Sequence, residues 1–272
     1  MTEKLYHSIT FGELSCSNGI NTINGKNTWN DWHLIPSSRP LVNPPSPNLS
    51  IVEIPGSNKV IDLTKVLTGY TTYKRRSGSW TLIAENGFRA WYNLYSEIMS
   101  YLHGKAYKCV LEDDKYHYYD GIFTVTGWDS GANYSTITVN YSLYPFKFLL
   151  QSAQEPWKWD PFNFETGVIR NVGVWDTSTT VAGSKIVVPP GDSTASIEIY
   201  PGDEIVHLTI YASSSNLSMT YDQLTYHLDQ YEKEYTNIGI QKSSSSRSVP
   251  VYLSNSGSSS EYIVFNYRVG EL

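Results

Sequence analysis

Short runs in which apolar and polar residues alternate fill most of this sequence of 272 residues. In residues 133–144, one face of the run carries Tyr134, Thr136, Thr138 and Asn140, and the other carries Ser135, Ile137, Val139 and Tyr141. Successive side chains of a β-strand point to opposite faces of the sheet, so this period of two is typical of a half-buried strand. The chain is therefore predicted to fold chiefly into antiparallel sheets.

One segment has a helical period instead. Its apolar residues lie at i, i+3, i+4, i+7, i+8 and i+11 and are Trp91, Leu94, Tyr95, Ile98, Met99 and Leu102. Gly104 then provides a residue that tolerates the backbone conformation found just after a helix. The pattern predicts one helix whose six apolar side chains pack on a sheet, with a contribution on the order of 10 kcal/mol before entropy is counted.

Turn residues divide the rest of the first half. Residues 36–50 are rich in proline and serine and are expected to form a loop or an extended arm. Residues 51–54 and 59–63 flank a Pro-Gly-Ser-Asn turn, which predicts a hairpin. Residues 70–76 and 79–84 flank Ser77-Gly78, which predicts a second, compact hairpin.

An aromatic run interrupts the strand pattern at residues 151–166, where two prolines flank Trp157, Trp159, Phe162 and Phe164. We place the domain boundary in this run. The four rings serve either as a plug that locks two modules together or as an exposed platform for a sugar or a partner. Residues 1–150 then form an N-terminal module, and residues 167–272, with many short strands between Gly-Asp and Ser-rich turns, form a C-terminal β-sandwich.

Charge and motifs exclude several classes of function. The formal net charge is -6, which disfavours bulk electrostatic binding to nucleic acid. No window approaches the roughly 20 apolar residues of a membrane helix, and the first residues lack the apolar core of a secretory signal, so we expect synthesis in a cytoplasm. No phosphate-binding glycine motif, nucleophile elbow or HExxH motif occurs.

Reactive residue types are sparse and scattered. The two cysteines, Cys16 and Cys109, are 93 positions apart and are expected to be buried thiols rather than a disulfide framework. No two histidines lie three or four residues apart, so no helix presents a two-histidine metal face. The adjacent acids Glu112, Asp113 and Asp114 are interpreted as a hairpin tip. We therefore expect no enzyme, no metal site and no cofactor.

Several segments together resemble the N-terminal module of the distal tail proteins of long-tailed bacteriophages and prophages. The segments are Val60–Thr64, Gly69–Trp80, Leu94–Lys105, Leu111–Asp114, Tyr118–Gly121 and Ser135–Val139. The run Pro156–Gly167 resembles the segment that follows this module in many relatives, and the resemblance near Phe265–Arg268 is weaker. Residues 1–50 match no pattern of this family.

The resemblance implies a structural virion protein at the tip of a phage tail, assembled in the bacterial host cytoplasm. Copies would form a ring, usually a hexamer, that joins the tail tube protein to the tail-tip hub protein. The C-terminal module would be a galectin-like sandwich that binds cell-surface carbohydrate or holds a receptor-binding protein. A carbohydrate-binding module of the tail is the alternative function.

Two residue groups are left with open alternatives. The one basic cluster consists of Lys74, Arg75 and Arg76. It is either a solvated hairpin tip or a contact surface. As a contact surface it would face an acidic neighbour or the ring lumen, where DNA passes without sequence-specific binding. Trp175 is the candidate ring for a glycan contact in the C-terminal half. The abundance of tyrosine and tryptophan and the low charge favour protein interfaces but are also typical of a carbohydrate binder.

Overall fold

The computed structural model describes residues 5–17, 20–66, 70–85, 90–131, 133–150, 162–163, 168–169, 184–198, 206–240, 248–266 and 270–272. The chain forms two compact units, one with residues 1–15, 23–147 and 272, the other with residues 16–22 and 148–271. The predicted mainly β fold with one packed helix is confirmed. The predicted boundary segment 151–166 falls almost entirely outside the described residues, so its role stays a prediction.

Antiparallel strands make up most of the first unit. They are β1 (Ile9–Ser17), β2 (Ile20–Asn27), β3 (Leu34–Pro36), β4 (Ile51–Glu53), β5 (Val60–Asp62), β6 (Arg76–Glu85), β7 (Lys105–Leu111), β8 (His117–Ser130) and β9 (Tyr134–Leu143). Seven of these follow the sheet order β2-β1-β7-β8-β9-β6-β3, while β4 and β5 pair only with each other as a separate hairpin. The alternation predicted for residues 133–144 is present in β9, where Ile137, Val139 and Tyr141 are buried.

The main sheet of the first unit curls until its two halves share one core. Strands β1 and β6 are four positions apart in the sheet, which would separate them by roughly 19 Å if the sheet were flat. The rings of Phe11 on β1 and Trp80 on β6 nevertheless lie 6.4 Å apart between centroids. Residues 28–33 link the two ends of the sheet, and Leu34 N donates to Thr28 O over 2.7 Å. The apolar core therefore lies inside the curl.

The helix α1 (Trp91–Leu102) packs on this core. Leu94, Ile98 and Leu102 are fully buried, and the other three residues of the predicted stripe, Trp91, Tyr95 and Met99, are half-buried against the core. The helix ends where Gly104 adopts φ +72°, and the Gly104 amide donates to Phe123 O on β8 over 2.8 Å. Its apolar face is thus fixed against the sheet over its whole length.

The hairpin predicted at Ser77-Gly78 is wrong. Strand β6 runs unbroken through both residues, with Ser77 paired to Ser142 and Gly78 to Tyr141 on β9. Glycine stands there because the Tyr141 hydroxyl and the side chain of Asn43 occupy the space that a Cβ at position 78 would need. A glycine inside a strand marks the close approach of other groups as well as turns.

The second unit is a β-sandwich. Its sandwich strands are β13 (Ser184–Val188), β14 (Gly191–Glu198), β15 (Val206–Ala212), β16 (Leu217–Tyr221), β17 (Leu224–His227), β18 (Tyr231–Ile240), β19 (Ser248–Asn255) and β20 (Glu261–Asn266). Four short strands lie outside the sandwich: β10 (Lys147–Leu149) pairs with β21 (Gly270–Glu271), and β11 (Phe162–Asn163) pairs with β12 (Val168–Ile169). One four-stranded sheet has the order β13-β20-β15-β18 and the other β14-β19-β16-β17. Both contribute to a single core, with Ile210 and Phe265 from the first sheet and Met219 and Leu253 from the second. This architecture agrees with the predicted C-terminal sandwich.

Candidate interaction surfaces

Few groups in the described structure have the chemistry of a reactive site. Among the described residues, no helix is long and apolar enough to cross a membrane, and no three His, Cys, Asp or Glu side chains cluster as metal ligands would. Cys109 lies in the core of the first unit, where burial raises the pKa of its thiol well above the ordinary value. Its sulfur therefore stays protonated and inert at neutral pH.

The most unusual surface is the β4–β5 hairpin with its flanks, residues 50–66, which we call the apolar hairpin. Its large apolar side chains are all between 39 and 68% exposed and are Ile51, Val52, Ile54, Val60, Ile61, Leu63 and Val66. Every residue of β4 and β5 is exposed. An isolated two-stranded hairpin is at best marginally stable in water, so this one requires another surface.

One face of the apolar hairpin carries almost only aliphatic side chains. Val52 and Ile61 are directly paired, and Ile54 and Leu63 follow at the next alternating positions on the same side. The opposite side is mixed, because Ile51 pairs with Asp62 and Glu53 with Val60. The first face is therefore the one suited to an apolar partner.

The Pro-rich segment connects this hairpin to the rest of the first unit. Asn48 N donates to Thr72 O, and Lys74 N donates to Ser46 O, each over 2.8 Å. Pro47 forms a bridge with Tyr73 between these two bonds. Residues 46–48 and 72–74 thus run as a paired stem at the base of the apolar hairpin. The predicted arm is an extended segment paired along part of its length.

The predicted basic cluster is divided by the fold. Lys74 is exposed, and the exposed Arg75 donates from Nη2 to Ser142 O over 2.7 Å. Arg76 is only 5% exposed and donates from Nε to Pro145 O over 2.6 Å, and its burial lowers the pKa of the guanidinium. Only Lys74 and Arg75 present charge at the surface. Their role in contacting a lumen or a partner stays a prediction.

The three adjacent acids form a short 3-10 turn, Glu112–Asp114, between β7 and β8. Each carboxylate holds a different part of the first unit. Their partners are Tyr6 N and Ser8 N for Glu112, His7 Nδ1 and Arg39 Nη2 for Asp113, and His117 Nδ1 and Lys147 Nζ for Asp114. The predicted hairpin tip is confirmed, since the turn joins the paired strands β7 and β8. The partners of the three acids were not predicted, because they lie up to 106 positions away in the sequence. The acidic turn therefore ties the N-terminal and Pro-rich segments to the sheet.

These partners also set the acidity of the turn. The hydrogen bond from Arg39 lowers the pKa of Asp113 below its ordinary value, with a smaller contribution from His7. Burial alone would raise the pKa of Asp114, but the bonds from His117 and Lys147 outweigh it and lower that pKa as well. Both carboxylates are therefore ionised at neutral pH.

Replacing Asp113 with asparagine is expected to destabilise the first unit by up to about 1 kcal/mol at pH 7, the range of partly exposed ion pairs. Because the pKa of Asp113 is lower in the folded state than in the unfolded state, the ionised carboxylate stabilises the fold above the unfolded pKa of about 4. This contribution is lost as the pH falls through the folded pKa. Thermal melts of wild type and Asp113→Asn should therefore differ most at pH 7, and the difference should shrink as the pH is lowered below about 4. A difference that persists at the lower pH would contradict the assignment.

Four rings form an aromatic patch at the start of α1: Trp91, Tyr92, Tyr95 and Trp128. Trp128 near the end of β8 stacks on Tyr95 with centroids 4.6 Å apart and lies 5.5 Å from Tyr92 and 5.7 Å from Trp91. Tyr92 is 72% exposed and Trp128 36%. The helical period found Trp91 and Tyr95, but no sequence signal pointed to Trp128, which β8 brings to the helix.

A polar sheet face covers the outside of β14-β19-β16-β17 in the second unit. Two rows of paired residues cross it, Thr194–Tyr252–Thr220–Thr225 and Asp192–Ser254–Ser218–His227. The alternating residues of the same strands, such as Met219 and Leu253, face the core. Tyr252 is 62% exposed in the middle of this face. The face therefore offers one aromatic ring surrounded by hydroxyl, carboxylate and imidazole groups.

The remaining predicted site residues fall outside the described structure. Trp157, Trp159 and Phe164 of the aromatic junction and the candidate glycan contact Trp175 are not among the described residues. The backbone of Phe162 pairs with Ile169 in the β11–β12 hairpin, but its side chain is not described. The plug and platform interpretations of this run both stay predictions.

The comparisons with known proteins found similarity among solved structures alone. No family model matches the chain, and no curated protein matches it either. Among solved structures, the chain is similar to the Dit (gp 19.1) protein of phage SPP1, described as a paradigm of the hub adsorption apparatus in phages that infect Gram-positive bacteria. The two share 12% sequence identity with a TM-score of 0.45, over 96% of this chain and 98% of that one. A TM-score below 0.5 does not establish a family.

Proposed function

We propose that this chain is a structural protein of a phage tail tip and that its copies associate into a ring. The observation that carries the proposal is the apolar hairpin, whose seven large apolar side chains are exposed to solvent. Such a surface is a liability for a freely diffusing protein and is typical of a joint between subunits. The resemblance of the sequence to distal tail proteins gives the joint its context.

A protruding hairpin favours a ring over a simple two-fold dimer. When an arm on one copy contacts a different surface on the next copy, the interface is heterologous, and repetition closes a ring if the rotation allows it. Six copies are the number that the resemblance implies. In this arrangement, the ring would join the tail tube protein to the tail-tip hub protein, and its second units would bear receptor-binding proteins. The function is mechanical, and the proposal assigns no catalytic residue.

Replacing both Val52 and Ile61 with serine is expected to abolish self-association. The two side chains form the directly paired centre of the aliphatic face, and they are exposed, so the fold of the first unit should persist. Light scattering should show wild-type rings and a monomeric variant at micromolar concentration. Ile122→Ser, which removes an exposed isoleucine from β8, is the matched control and should assemble normally.

Two results would contradict the proposal. Wild-type protein that stays monomeric at every concentration would contradict the formation of a ring. A Val52→Ser/Ile61→Ser variant that assembles normally would contradict the assignment of the hairpin as the joint between subunits. The place in the virion is tested separately by negative-stain microscopy with a gold-labelled antibody. Label is expected at the tail tip, and label at the capsid would count against a tail protein.

A second function, carbohydrate binding, is favoured by the polar sheet face. The apolar face of a sugar ring stacks on an exposed aromatic ring, while its hydroxyls bond to nearby polar side chains. Tyr252 supplies the ring, and Asp192 and His227 in the neighbouring row supply polar groups. This role is compatible with the ring, since it belongs to the second unit.

Replacing Tyr252 with serine is expected to weaken glycan binding by roughly tenfold or more, because the stacking surface is lost. Binding should be measured on a glycan array and then by calorimetry with the glycan that gives the strongest signal. Tyr231→Ser removes another exposed tyrosine of the second unit and is the matched control. An array without signal for the wild-type protein would exclude this second function.

A further inference from the structure

We infer that the polar sheet face of the second unit selects a glycan that contains an amino sugar: the sugar ring stacks on Tyr252 while the carboxylate of Asp192 pairs with the ammonium group. The inference rests on carbohydrate binding, the second function proposed above, and names the class of glycan. It is carried by the position of Asp192 beside the exposed ring, by the availability of its carboxylate and by the sign of the charge on this face.

Asp192 lies beside the exposed tyrosine on the same side of the sheet. Thr194 on β14 pairs directly with Tyr252 on β19, and Asp192 pairs with Ser254, the next residue of β19 on this face. Asp192 and Tyr252 are therefore diagonal neighbours, which lie roughly 7 to 8 Å apart in an antiparallel sheet. Both side chains are exposed. A sugar ring stacked on Tyr252 can thus bring one of its substituents to the carboxylate of Asp192.

The carboxylate of Asp192 is available to a ligand. Other carboxylates of the second unit are already bonded within the protein: Lys233 Nζ donates to Asp229. In the same way, Ser213 Oγ donates to Glu261 Oε2 over 2.6 Å. The carboxylate of Asp192, by contrast, has no hydrogen bond or ion pair with any other residue that the structure describes. A hydrogen bond from an ammonium group to such a carboxylate is about twice as strong as one between neutral groups.

The charge beside Tyr252 is negative. None of the paired residues in the two rows that contain Tyr252 and Asp192 is lysine or arginine, and a second exposed aspartate, Asp222, follows β16. His227 stands three strands from Asp192, roughly 14 Å away, which is beyond the range of about 10 Å over which exposed charges act at moderate salt. Ammonium groups are therefore attracted to this face, whereas the carboxylate, sulfate or phosphate groups of an acidic glycan are repelled.

The experiment compares two oligosaccharides of equal length that differ at one position of each ring. Oligomers of glucosamine carry ammonium groups at about pH 6.5, whereas oligomers of N-acetylglucosamine are neutral. Calorimetry with the full chain at low salt should show that the wild type binds the glucosamine oligomer at least about fivefold more tightly. Asp192→Asn should lose most of this preference and keep its affinity for the neutral oligomer. High salt should also reduce the preference of the wild type, because it screens an exposed ion pair.

Glu234→Gln is the matched control, because it removes an exposed carboxylate from β18 in the other sheet of the sandwich and should leave the preference unchanged. Wild-type protein that binds the neutral oligomer as tightly as the charged one, or that binds only neutral or acidic glycans, overturns the selectivity while carbohydrate binding stands. An Asp192→Asn variant that keeps the full preference overturns the role of Asp192. Wild-type protein that binds no glycan at all overturns both the selectivity and the second function.

Discussion

Replacing Ile98 with aspartate should unfold the first unit. Ile98 is completely buried in the middle of α1, where the helix meets the core enclosed by the curled sheet. The substitution removes the apolar contacts of a large side chain, which costs about 2 to 5 kcal/mol, and adds a buried carboxylate with no cation to pair with, which costs more. Since whole domains are stable by only about 5 to 15 kcal/mol, the sum is enough to unfold this one. Circular dichroism melts and soluble yield measure the effect.

Two other changes in the same helix provide the comparison. Asn93→Asp places the same carboxylate on the exposed side of α1 and should change stability by no more than about 0.5 kcal/mol. Ile98→Val keeps the site apolar and should cost about 0.5 to 1.5 kcal/mol. An Ile98→Asp protein with a normal yield and an unchanged melting temperature would mean that α1 does not pack through this residue.

The parts of the fold that could be predicted are those in which a local period reflects a local contact. The 3.6-residue stripe identified α1, because its apolar side chains all face one neighbour. The two-residue alternation identified the strands, because the main sheet of the first unit and the two four-stranded sheets of the second unit each have one face on a core. The predicted ranges agree with the structure where these conditions hold, as they do for β9.

The curl of the sheet and the aromatic patch could not be predicted in this way. The contact between Phe11 and Trp80 joins strands that are far apart in both sequence and sheet order. Trp128 reaches α1 only because the β8 strand extends beyond its bulge between Val125 and Gly127. Neither contact leaves a periodic signal, since each depends on how distant elements pack together.

The environment of Arg76 could not be predicted from the charge of the residue and its neighbours in sequence. Its place beside Lys74 and Arg75 predicted a basic surface cluster, but it pairs with Leu143 in the sheet and is buried. The Pro145 carbonyl accepts its Nε–H, and the ring of Tyr119 lies 5.7 Å from the guanidinium carbon. Charge alone predicts exposure, and only the register of β6 and β9 could have shown this burial.

Gly78 was predicted to lie in a turn but lies inside β6. Replacing it with alanine is expected to destabilise the first unit by about 2 to 4 kcal/mol. A Cβ at this position would lie 2.6 Å from Cζ of Tyr141 and 2.8 Å from Nδ2 of Asn43. The tyrosine ring cannot retreat freely, because it packs on Trp80 at a centroid distance of 4.4 Å. Its displacement would also break the 3.1 Å hydrogen bond from Asn43 N to the Tyr141 hydroxyl, which holds the Pro-rich segment on the sheet.

Gly127→Ala is the matched control for this prediction. Gly127 lies in β8 of the same sheet, yet nothing stands within 4 Å of the position of its added Cβ. If close approach is what selects glycine, Gly78→Ala should lower the melting temperature by roughly 10 °C, whereas Gly127→Ala should leave it nearly unchanged. Equal melting temperatures for the two variants would mean that Gly78 is not enclosed by Tyr141 and Asn43. The packing of Asn43 on Tyr141, which holds the Pro-rich segment on the sheet, would then be wrong.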